Sequence, residues 1–258
     1  MEIRIRHAAL AATLDREDPL PKPGDPLPLL WHWLFFLDRT RASELGPDGH
    51  AQRGGLLPPV PLPRRMWAGS RFEFRYPLLV GDQITRETRV IDIQEKSGRS
   101  GPLVFVVVRH EISNGDGLAV SEEHDIVYRN HGPAAPLQLA PADAAWERTI
   151  EPDDVLLFRY SALTFNAHRI HYDRRYATGV EGYPGLVVHG PLIATLLMDL
   201  LRRHQSMTSV ERFSFRAVSP LFDTGPFTVC GKAEGKAIAL WAKDAAGNLA
   251  MAAEALIR

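Results

Sequence analysis

"RFEFRYPLLVGD" (71–82) and "RFSFRAVSPLFD" (212–223) are two similar stretches of this 258-residue chain, 141 positions apart. A second pair follows in the same order: "GLAVSEEHDIVYR" (117–129) matches "NLAMAAEALIR" (248–258), at an offset of 131. A shorter hairpin in the second copy would explain the change in offset, because hairpin loops vary in length. Two echoes in one order favour an internal duplication over chance similarity.

Both halves show the same succession of predicted elements. Alternating polar and β-branched or aromatic residues, interrupted by Gly- and Asn-containing turns, predict strands in each half. The predicted strands are 71–80, 83–94, 102–113 and 118–129, then 208–218, 225–232, 236–244 and 248–257. Before each set comes one strongly apolar helix candidate, "LPLLWHWLFFLD" (27–38) and "GPLIATLLMDLLRRH" (190–204). A helix that is apolar all round must be buried, and a curved sheet is its natural cover.

The fold class that follows is α+β, a double hot dog: two tandem units, each an antiparallel sheet wrapped round one apolar helix. We expect an N-terminal unit over 1–130 and a C-terminal unit over 148–258. Between them lies a linker, 131–147, rich in proline and alanine and without periodicity.

Composition excludes several functional classes. The net charge of −1 and the pI near 6.8 give no electrostatic reason to expect nucleic acid or an anionic membrane as a partner. A single cysteine, Cys230, permits neither an internal disulfide nor a thiolate metal cluster, and its alternating apolar context predicts a buried strand thiol. Neither a secretory signal nor a membrane span is evident, so we expect a cytoplasmic enzyme or binding protein.

The motif "NAHRIHYD" (166–173) carries the clearest chemistry. A histidine both takes and gives a proton near neutral pH, so His168 and His171 are candidate acid–base groups, and Asn166 is a candidate for orienting water or a carbonyl. The structural alternative is a helix N-terminus capped by Asn166. A metal site that adds His189 is disfavoured, because the chain has no HExxH motif and no cysteine partner, so no metal is predicted.

Downstream, "EGYPGLVVHGPL" (181–192) is a Gly/Pro-rich turn that leads into the second apolar helix. Gly190 allows close approach of a ligand, and the free N–H groups of a new helix can hold an oxyanion. The alternative is simply a turn before a core helix. Arg169 is a candidate for binding phosphate or carboxylate, against the alternative of a solvated helix face.

These stretches resemble a known family. "SALTFNAHRIHYDRRYA" and "EGYPGLVVHG", together with "LPLLWHWLFFL", "LPRRMWAG" and "FSFRAVSPLFDTGPFTVCG", are similar to the MaoC-like hydratases. They are closest to the hydroxyacyl-thioester dehydratase type 2 branch that includes the mesaconyl-C4-CoA and itaconyl-CoA hydratases. The family motif is Asp-x-Asn-Pro-x-His. Laid on this chain, its histidine is His171, its aspartate falls on Asn166 and its asparagine on His168, and its oxyanion donor is Gly190.

The resemblance implies a hydro-lyase that adds water to an enoyl thioester or removes it from a 3-hydroxyacyl thioester. His171 would act as general acid/base and the Gly190 N–H as oxyanion donor, with no cofactor. Asn166 cannot act as a base, so the acidic partner of His171 is left open; His168 is one candidate. Asp173 either fixes the His171 tautomer or serves as a first-turn helix acid.

The implied substrate is an acyl-CoA, or an acyl carrier protein thioester, in a chain expected to form a homo-oligomer. The bulky helix candidate at 27–38 favours a short C5 dicarboxylic acyl group, for which Arg65, Arg71 or Arg169 would bind the free carboxylate. The alternatives are a hot-dog thioesterase and a non-catalytic acyl-CoA-binding subunit.

Overall fold

One nine-stranded antiparallel sheet carries the helices of the protein. The computed structural model describes residues 2–98, 101–130, 132, 136–206 and 208–258. The strands are β1 Arg64–Phe74, β2 Thr85–Gly98, β3 Gly101–Asn114, β4 Gly117–Arg129, β5 Trp146–Ile150, β6 Val210–Ala217, β7 Phe227–Glu234, β8 Ala237–Asp244 and β9 Leu249–Ile257. The α-helices are α1 Glu2–Thr13, α2 Asp154–Thr164, α3 Arg174–Gly179 and α4 Gly190–His204. Within these described ranges, no helix is long and apolar enough to cross a membrane.

The sheet order is β2-β3-β4-β1-β6-β9-β8-β7-β5, so the strands of each predicted unit lie side by side. The two units meet where β1 pairs with β6. Residues 131 and 133–135 of the predicted linker lie outside the described residues. The domain boundaries themselves stay predictions.

The first sequence echo lies at the centre of the sheet. Phe72 and Phe213 occupy equivalent places in the two similar stretches, and they are direct partners in the β1–β6 pair. Their neighbours pair symmetrically, Arg71 with Ser214 and Glu73 with Arg212. A local twofold axis therefore passes through the Phe72–Phe213 pair, as a duplicated fold requires.

Helix α4 forms the centre of the C-terminal unit, and its predicted bounds of 190–204 are confirmed. Every residue from Leu192 to Leu201 is buried, and the helix packs against β5, β7, β8 and β9. Pro191 lies in the first turn of the helix, where its missing N–H costs no hydrogen bond. The cationic run Arg202, Arg203 and His204 lies in the last turn, where it is favourable for the helix dipole. Each fully buried leucine contributes roughly 2 kcal/mol by leaving water.

The helix predicted over 27–38 is wrong. Only the turn Trp31–Leu34 is helical, and it is a 3₁₀ turn that follows Leu30 in a left-handed conformation at φ 69°. Proline at 26 and 28 disfavours helical backbone in the residue before each, and the left-handed Leu30 interrupts any helix that begins at Pro28. Instead α1, which was not predicted, packs Leu10 into the same core as Trp31 and Leu34, and Leu14, just after the helix, joins them.

The strand predictions are confirmed for β2 to β4 and β6 to β9 to within a few residues. The first strand was placed too late, because Pro77 cannot donate to a ladder and the chain turns there, with Gly81 at φ 105°. Strand β5 was missed; it overlaps the predicted linker and pairs with β7.

Cys230 is fully buried in β7, as predicted. Burial raises the pKa of its thiol to about 12. The thiol is therefore protonated at neutral pH and is not a nucleophile.

Candidate active site

His171 lies in a 3₁₀ turn, Arg169–His171, between α2 and α3, and its side chain is buried. Its Nδ1 donates to the carbonyl of Val187 at 2.7 Å, and the Val187 N–H donates back to the carbonyl of Ile170 at 2.9 Å. The bond to Val187 sets the tautomer and leaves Nε2 with its lone pair. Burial lowers the pKa of His171 to about 4, so the ring is a neutral base at pH 7.

Four imidazole rings follow one another at this place. His171 stacks on His189 with ring centroids 3.7 Å apart, and His168 meets the edge of His171 at 5.3 Å. The fourth ring, His50, lies 4.0 Å from His168 and belongs to the N-terminal unit. Burial, helped by the nearby charge of His50, lowers the pKa of His168 to about 2. The site is therefore built from both units.

Asn166 and Asp173 both shape the backbone of the motif. The Asn166 side-chain oxygen accepts from the His168 N–H at 3.0 Å, closing a turn after α2. Asp173 accepts from the Tyr176 N–H at 3.0 Å and so caps α3, which is the helix-acid alternative of the sequence analysis. The tautomer of His171 is set by Val187 instead. The amide nitrogen of Asn166 has no acceptor within the described residues and can orient a ligand.

Gly190 is the first residue of α4, directly after His189, whose ring contacts His171. The first N–H groups of a helix have no acceptor within that helix, and the helix dipole makes them attractive to a developing negative charge. A Cβ added at Gly190 would meet nothing within 4 Å. The Nε2 of His189 pairs with the Ser161 hydroxyl at 2.8 Å, while its buried Nδ1 has no partner within the described ranges.

Comparison with known proteins assigns the chain to a family. Residues 30–223 match hydroxyacyl-thioester dehydratase type 2. The chain is 53% identical to the mesaconyl-C(4)-CoA hydratase of Chloroflexus aurantiacus over 95% of its own length and 89% of the relative. The chain belongs to the hydroxyacyl-thioester dehydratase type 2 family. It is therefore an enzyme of the hydro-lyase class.

Other relatives agree with this assignment. The mitochondrial hydroxyacyl-thioester dehydratase type 2 of Schizosaccharomyces pombe is 30% identical over 84% of this chain and 80% of the relative. The MaoC-like dehydratase of Phytophthora capsici has a TM-score of 0.74 at 14% identity, covering 99% of this chain and 92% of the other. HtdX of Mycobacterium tuberculosis has a TM-score of 0.68 at 18% identity, covering 98% and 95%. The last two show the fold, and they confirm the predicted hot-dog architecture.

The three arginine candidates of this family member differ in what they contact. The Arg169 guanidinium bonds Asp173 at 2.7 Å and the Pro47 carbonyl at 3.0 Å, so it is already engaged, which argues against its predicted role in substrate binding. Arg71 bonds Glu123 and Asp125. Arg65 is half-buried, has no hydrogen bond or ion pair within the described residues, and lies close enough to His168 to lower its pKa further.

The rings also bring three potential metal ligands together. Ligand atoms of Asp48, His50 and His168 all lie within 4.8 Å of one another. The sequence analysis had considered His168 with His171 and His189, and it predicted no metal. Treatment with a chelator tests whether these three side chains hold a cation.

Three contributors to the site were missed. Asp48 and His50 lie in "LGPDGH" (45–50), more than a hundred residues before the motif, and nothing in that short loop points to the later segment. Ser161 lies one turn before the end of α2 and holds His189. The Asp-Gly-His triplet was the only available signal, and a surface turn explains it equally well.

Proposed function

We propose that this enzyme reversibly hydrates the double bond of an α,β-unsaturated acyl-CoA, with His171 as general acid/base. The observation that carries the proposal is the 3.7 Å stack of His171 on His189. This stack places a neutral imidazole beside the N-terminus of α4, where Gly190 offers a backbone N–H. A base next to an oxyanion donor is what addition of water to a thioester-activated double bond requires.

The chemistry follows from these groups. As the water oxygen bonds to the β-carbon, the Nε2 of His171 accepts a water proton and the π electrons move toward the thioester oxygen. The Gly190 N–H stabilises the negative charge on that oxygen. A proton then bonds to the α-carbon and the thioester carbonyl re-forms. No redox step occurs, so the reaction balances without a nicotinamide or flavin.

We further propose a short C5 dicarboxylic acyl group, of the mesaconyl or itaconyl type, as the substrate. The 53% identity with a mesaconyl-C(4)-CoA hydratase supports this choice. Bulky rings also occupy the N-terminal unit near the sheet centre, with Trp33 5.5 Å from Trp67 and 5.9 Å from Phe72. In our proposal these rings favour a short acyl group over a long chain. The unpaired Arg65 near His168 is our choice for the group that binds the free carboxylate.

A substrate panel tests the reaction. Purified enzyme is mixed with crotonyl-, mesaconyl-C4- and itaconyl-CoA, and enoyl absorbance and free thiol are followed in parallel. We expect loss of enoyl absorbance without thiol release, fastest with a dicarboxylic substrate. Thiol release would make the enzyme a thioesterase and contradict the proposal. Binding without turnover of any substrate would make the chain a binding subunit.

Replacing Arg65 tests the carboxylate assignment. Hydrogen bonds to a charged group contribute about 1.5–3 kcal/mol, so Arg65→Met should raise the KM for mesaconyl-C4-CoA by about 10- to 100-fold. The KM for crotonyl-CoA, which lacks the carboxylate, should stay near the parent value. Arg71→Met is the matched control, because Arg71 already pairs with Glu123 and Asp125. Equal losses for both substrates would remove Arg65 from this role.

Gly190→Ala tests the approach to the oxyanion donor. The new methyl group meets no protein atom within 4 Å, so the variant should fold with an unchanged melting temperature. It projects beside the N–H that we assign to the thioester oxygen, so kcat/KM should fall by roughly 10- to 100-fold, somewhat less than the ~10²–10³ typical of deleting an oxyanion donor. A variant with parent kinetics would place the thioester elsewhere.

The carrier and the assembly state belong to the same proposal. We propose coenzyme A as the carrier rather than acyl carrier protein, and a homo-oligomeric enzyme in the cytoplasm. Crotonyl thioesters of the two carriers, compared at equal concentration, test the first point. Size-exclusion chromatography with light scattering tests the assembly state, and a monodisperse monomer would contradict it.

A further inference from the structure

We propose that His50, oriented by Asp48, is a second acid–base group of this site, delivered to the motif by the N-terminal unit. The inference rests on the hydration reaction proposed above. It concerns the source of the proton that bonds to the α-carbon, in a chain whose motif begins with Asn166, a residue that transfers no proton.

The loop that carries Asp48 and His50 is held tightly on the motif. The Arg169 N–H donates to the Asp48 carbonyl at 2.9 Å, and the Arg169 side chain donates to the Pro47 carbonyl at 3.0 Å. Gly49 has φ 89°, and a Cβ there would come within 1.8 Å of the Ala167 carbonyl oxygen. Only glycine permits this approach. The loop therefore has a fixed position relative to the histidines.

Asp48 orients His50 through hydrogen bonds to both the backbone N–H and the ring of His50. One carboxylate oxygen accepts from the His50 N–H at 3.0 Å, and the other pairs with the His50 Nδ1 at 2.9 Å. Burial acts to raise the pKa of Asp48, but the hydrogen bond and charge of His50 hold it well below its usual range. The ionised carboxylate fixes the proton of His50 on Nδ1 and leaves Nε2 available for transfer.

The position of His50 in the row of rings suits proton supply. The His50 ring contacts His168, which in turn contacts His171. The His50 side chain is 30% exposed, whereas His171 and His189 are buried. It can therefore recover a proton from water between turnovers. Its positive charge is balanced by Asp48, whereas no carboxylate contacts the ring of His171 within the described residues.

The step balances with one proton at each group. The Nε2 of His171 takes a proton from water as the C–O bond forms, and the Nε2–H of protonated His50 delivers a proton to the α-carbon as the C=C π bond is lost. The net change is addition of one water. His171 then releases its proton and His50 regains one through solvent.

Activity should accordingly need neutral His171 and protonated His50. Asp48, His168 and His171 are the titratable groups that interact with His50, while Arg65 faces His168 and Tyr176 faces Asp48. We expect kcat to fall at low pH, as His171 gains its proton.

The experiment compares His50→Gln and Asp48→Asn with two control variants. The controls are His204→Gln, an exposed ring stacked on Trp146, and Asp116→Asn at an exposed hairpin tip. A positioned acid contributes ~10²–10⁴-fold, so His50→Gln should lower kcat by about 100-fold. Asp48→Asn should lower kcat by about 10-fold, with KM and melting temperature near parent values in both.

Chemical rescue separates catalysis from structure. Imidazole should restore part of the kcat of His50→Ala, and a series of substituted imidazoles should show a rate that follows their pKa. Parent kcat in both His50→Gln and Asp48→Asn would overturn the inference. Losses of kcat that accompany a lower melting temperature and that imidazole does not rescue would overturn it as well.

Two further outcomes are decisive. The structure places Asp48, His50 and His168 close enough to share a cation, so activity that EDTA abolishes and Zn²⁺ restores would overturn the inference in favour of a metal site. Retained activity after EDTA, with no stoichiometric metal by mass spectrometry, supports it.

If the parent hydrates no substrate of the panel, the proposed function fails and this inference falls with it. If the parent hydrates and only the His50 and Asp48 results fail, the function stands.

Discussion

Replacing His171 with asparagine should lower kcat of the hydratase reaction by ~10²–10⁴-fold, the range that a positioned acid–base group contributes. The amide of asparagine can still donate to the Val187 carbonyl, which His171 Nδ1 now bonds at 2.7 Å, but it cannot accept a proton. The measurement is kcat and KM from the loss of enoyl absorbance. Because the loss falls on proton transfer, KM should change by less than about threefold.

The pH dependence gives an independent check on His171. Burial lowers the pKa of its imidazole to about 4, so the neutral base persists as pH falls from 7 to 5 and is lost only as pH passes through about 4. The acid limb of kcat should therefore lie well below the 6.5 of an exposed histidine. His204→Asn is the control, since this ring stacks on Trp146 at the far end of α4. Parent kcat in His171→Asn, with normal folding, would remove His171 from the mechanism.

Replacing Glu122 with glutamine should lower the free energy of unfolding by ~3–5 kcal/mol, as loss of one partner from a buried ion pair does. Glu122 is 2% exposed on β4 and accepts from the Trp33 indole at 2.9 Å. It also pairs with His32 at 3.0 Å and contacts His124. Burial acts to raise the pKa of Glu122, but the two histidines hold it well below its usual range, so the carboxylate stays ionised.

Urea denaturation at pH 7 measures this change, with Glu123→Gln as the matched control. Glu123 is the next residue on the same strand, is partly exposed and pairs with Arg71 and Arg109, so its replacement should cost at most about 1 kcal/mol. Equal losses in the two variants would show that the buried cluster does not stabilise the fold.

The sign of the pH dependence follows from the directions of the shifts. The depressed pKa of Glu122 gives stability that is present above its unfolded value near 4.5 and is lost as pH falls through the folded value. Burial lowers the pKa of the neighbouring His110 to about 3, so its stability is present above 6.5 and is lost between 6.5 and 3. The parent should therefore lose stability steadily below pH 6.5, and Glu122→Gln should show a smaller loss below pH 4.5.

The histidine motif, helix α4 and the C-terminal strands β6 to β9 could be predicted from the sequence because their signals are local. Alternation and turn residues predict most of the strands, and ten consecutive buried positions make α4 recognisable by composition alone. The echo between 71–82 and 212–223 indicates the duplication, and Phe72 pairs with Phe213 where symmetry requires it. His171 was singled out by its motif and lies next to Gly190 through the His189 stack.

The N-terminal unit was harder to predict because apolar composition does not separate a helix from a buried turn. Prolines and the left-handed Leu30 limit 31–34 to one 3₁₀ turn, and α1 covers the core instead. The aromatic run was predicted to fill space in the acyl pocket, which stays a prediction, whereas the helix predicted for its backbone is wrong. The apolar composition of this stretch predicts that its side chains are buried. It does not predict the backbone conformation, which depends on the part of the core that those side chains fill.

The sequence by itself determined the duplicated α+β fold, the family and the position of the histidine motif, since each depends on residues near one another in the chain. Only the tertiary structure decided the rest of the site. It brought Asp48 and His50 to His168 across two units, engaged Arg169 with Asp173 and left Arg65 unpaired within the described residues. Such contacts depend on strand register and loop packing between distant segments, and no local pattern of residues encodes them.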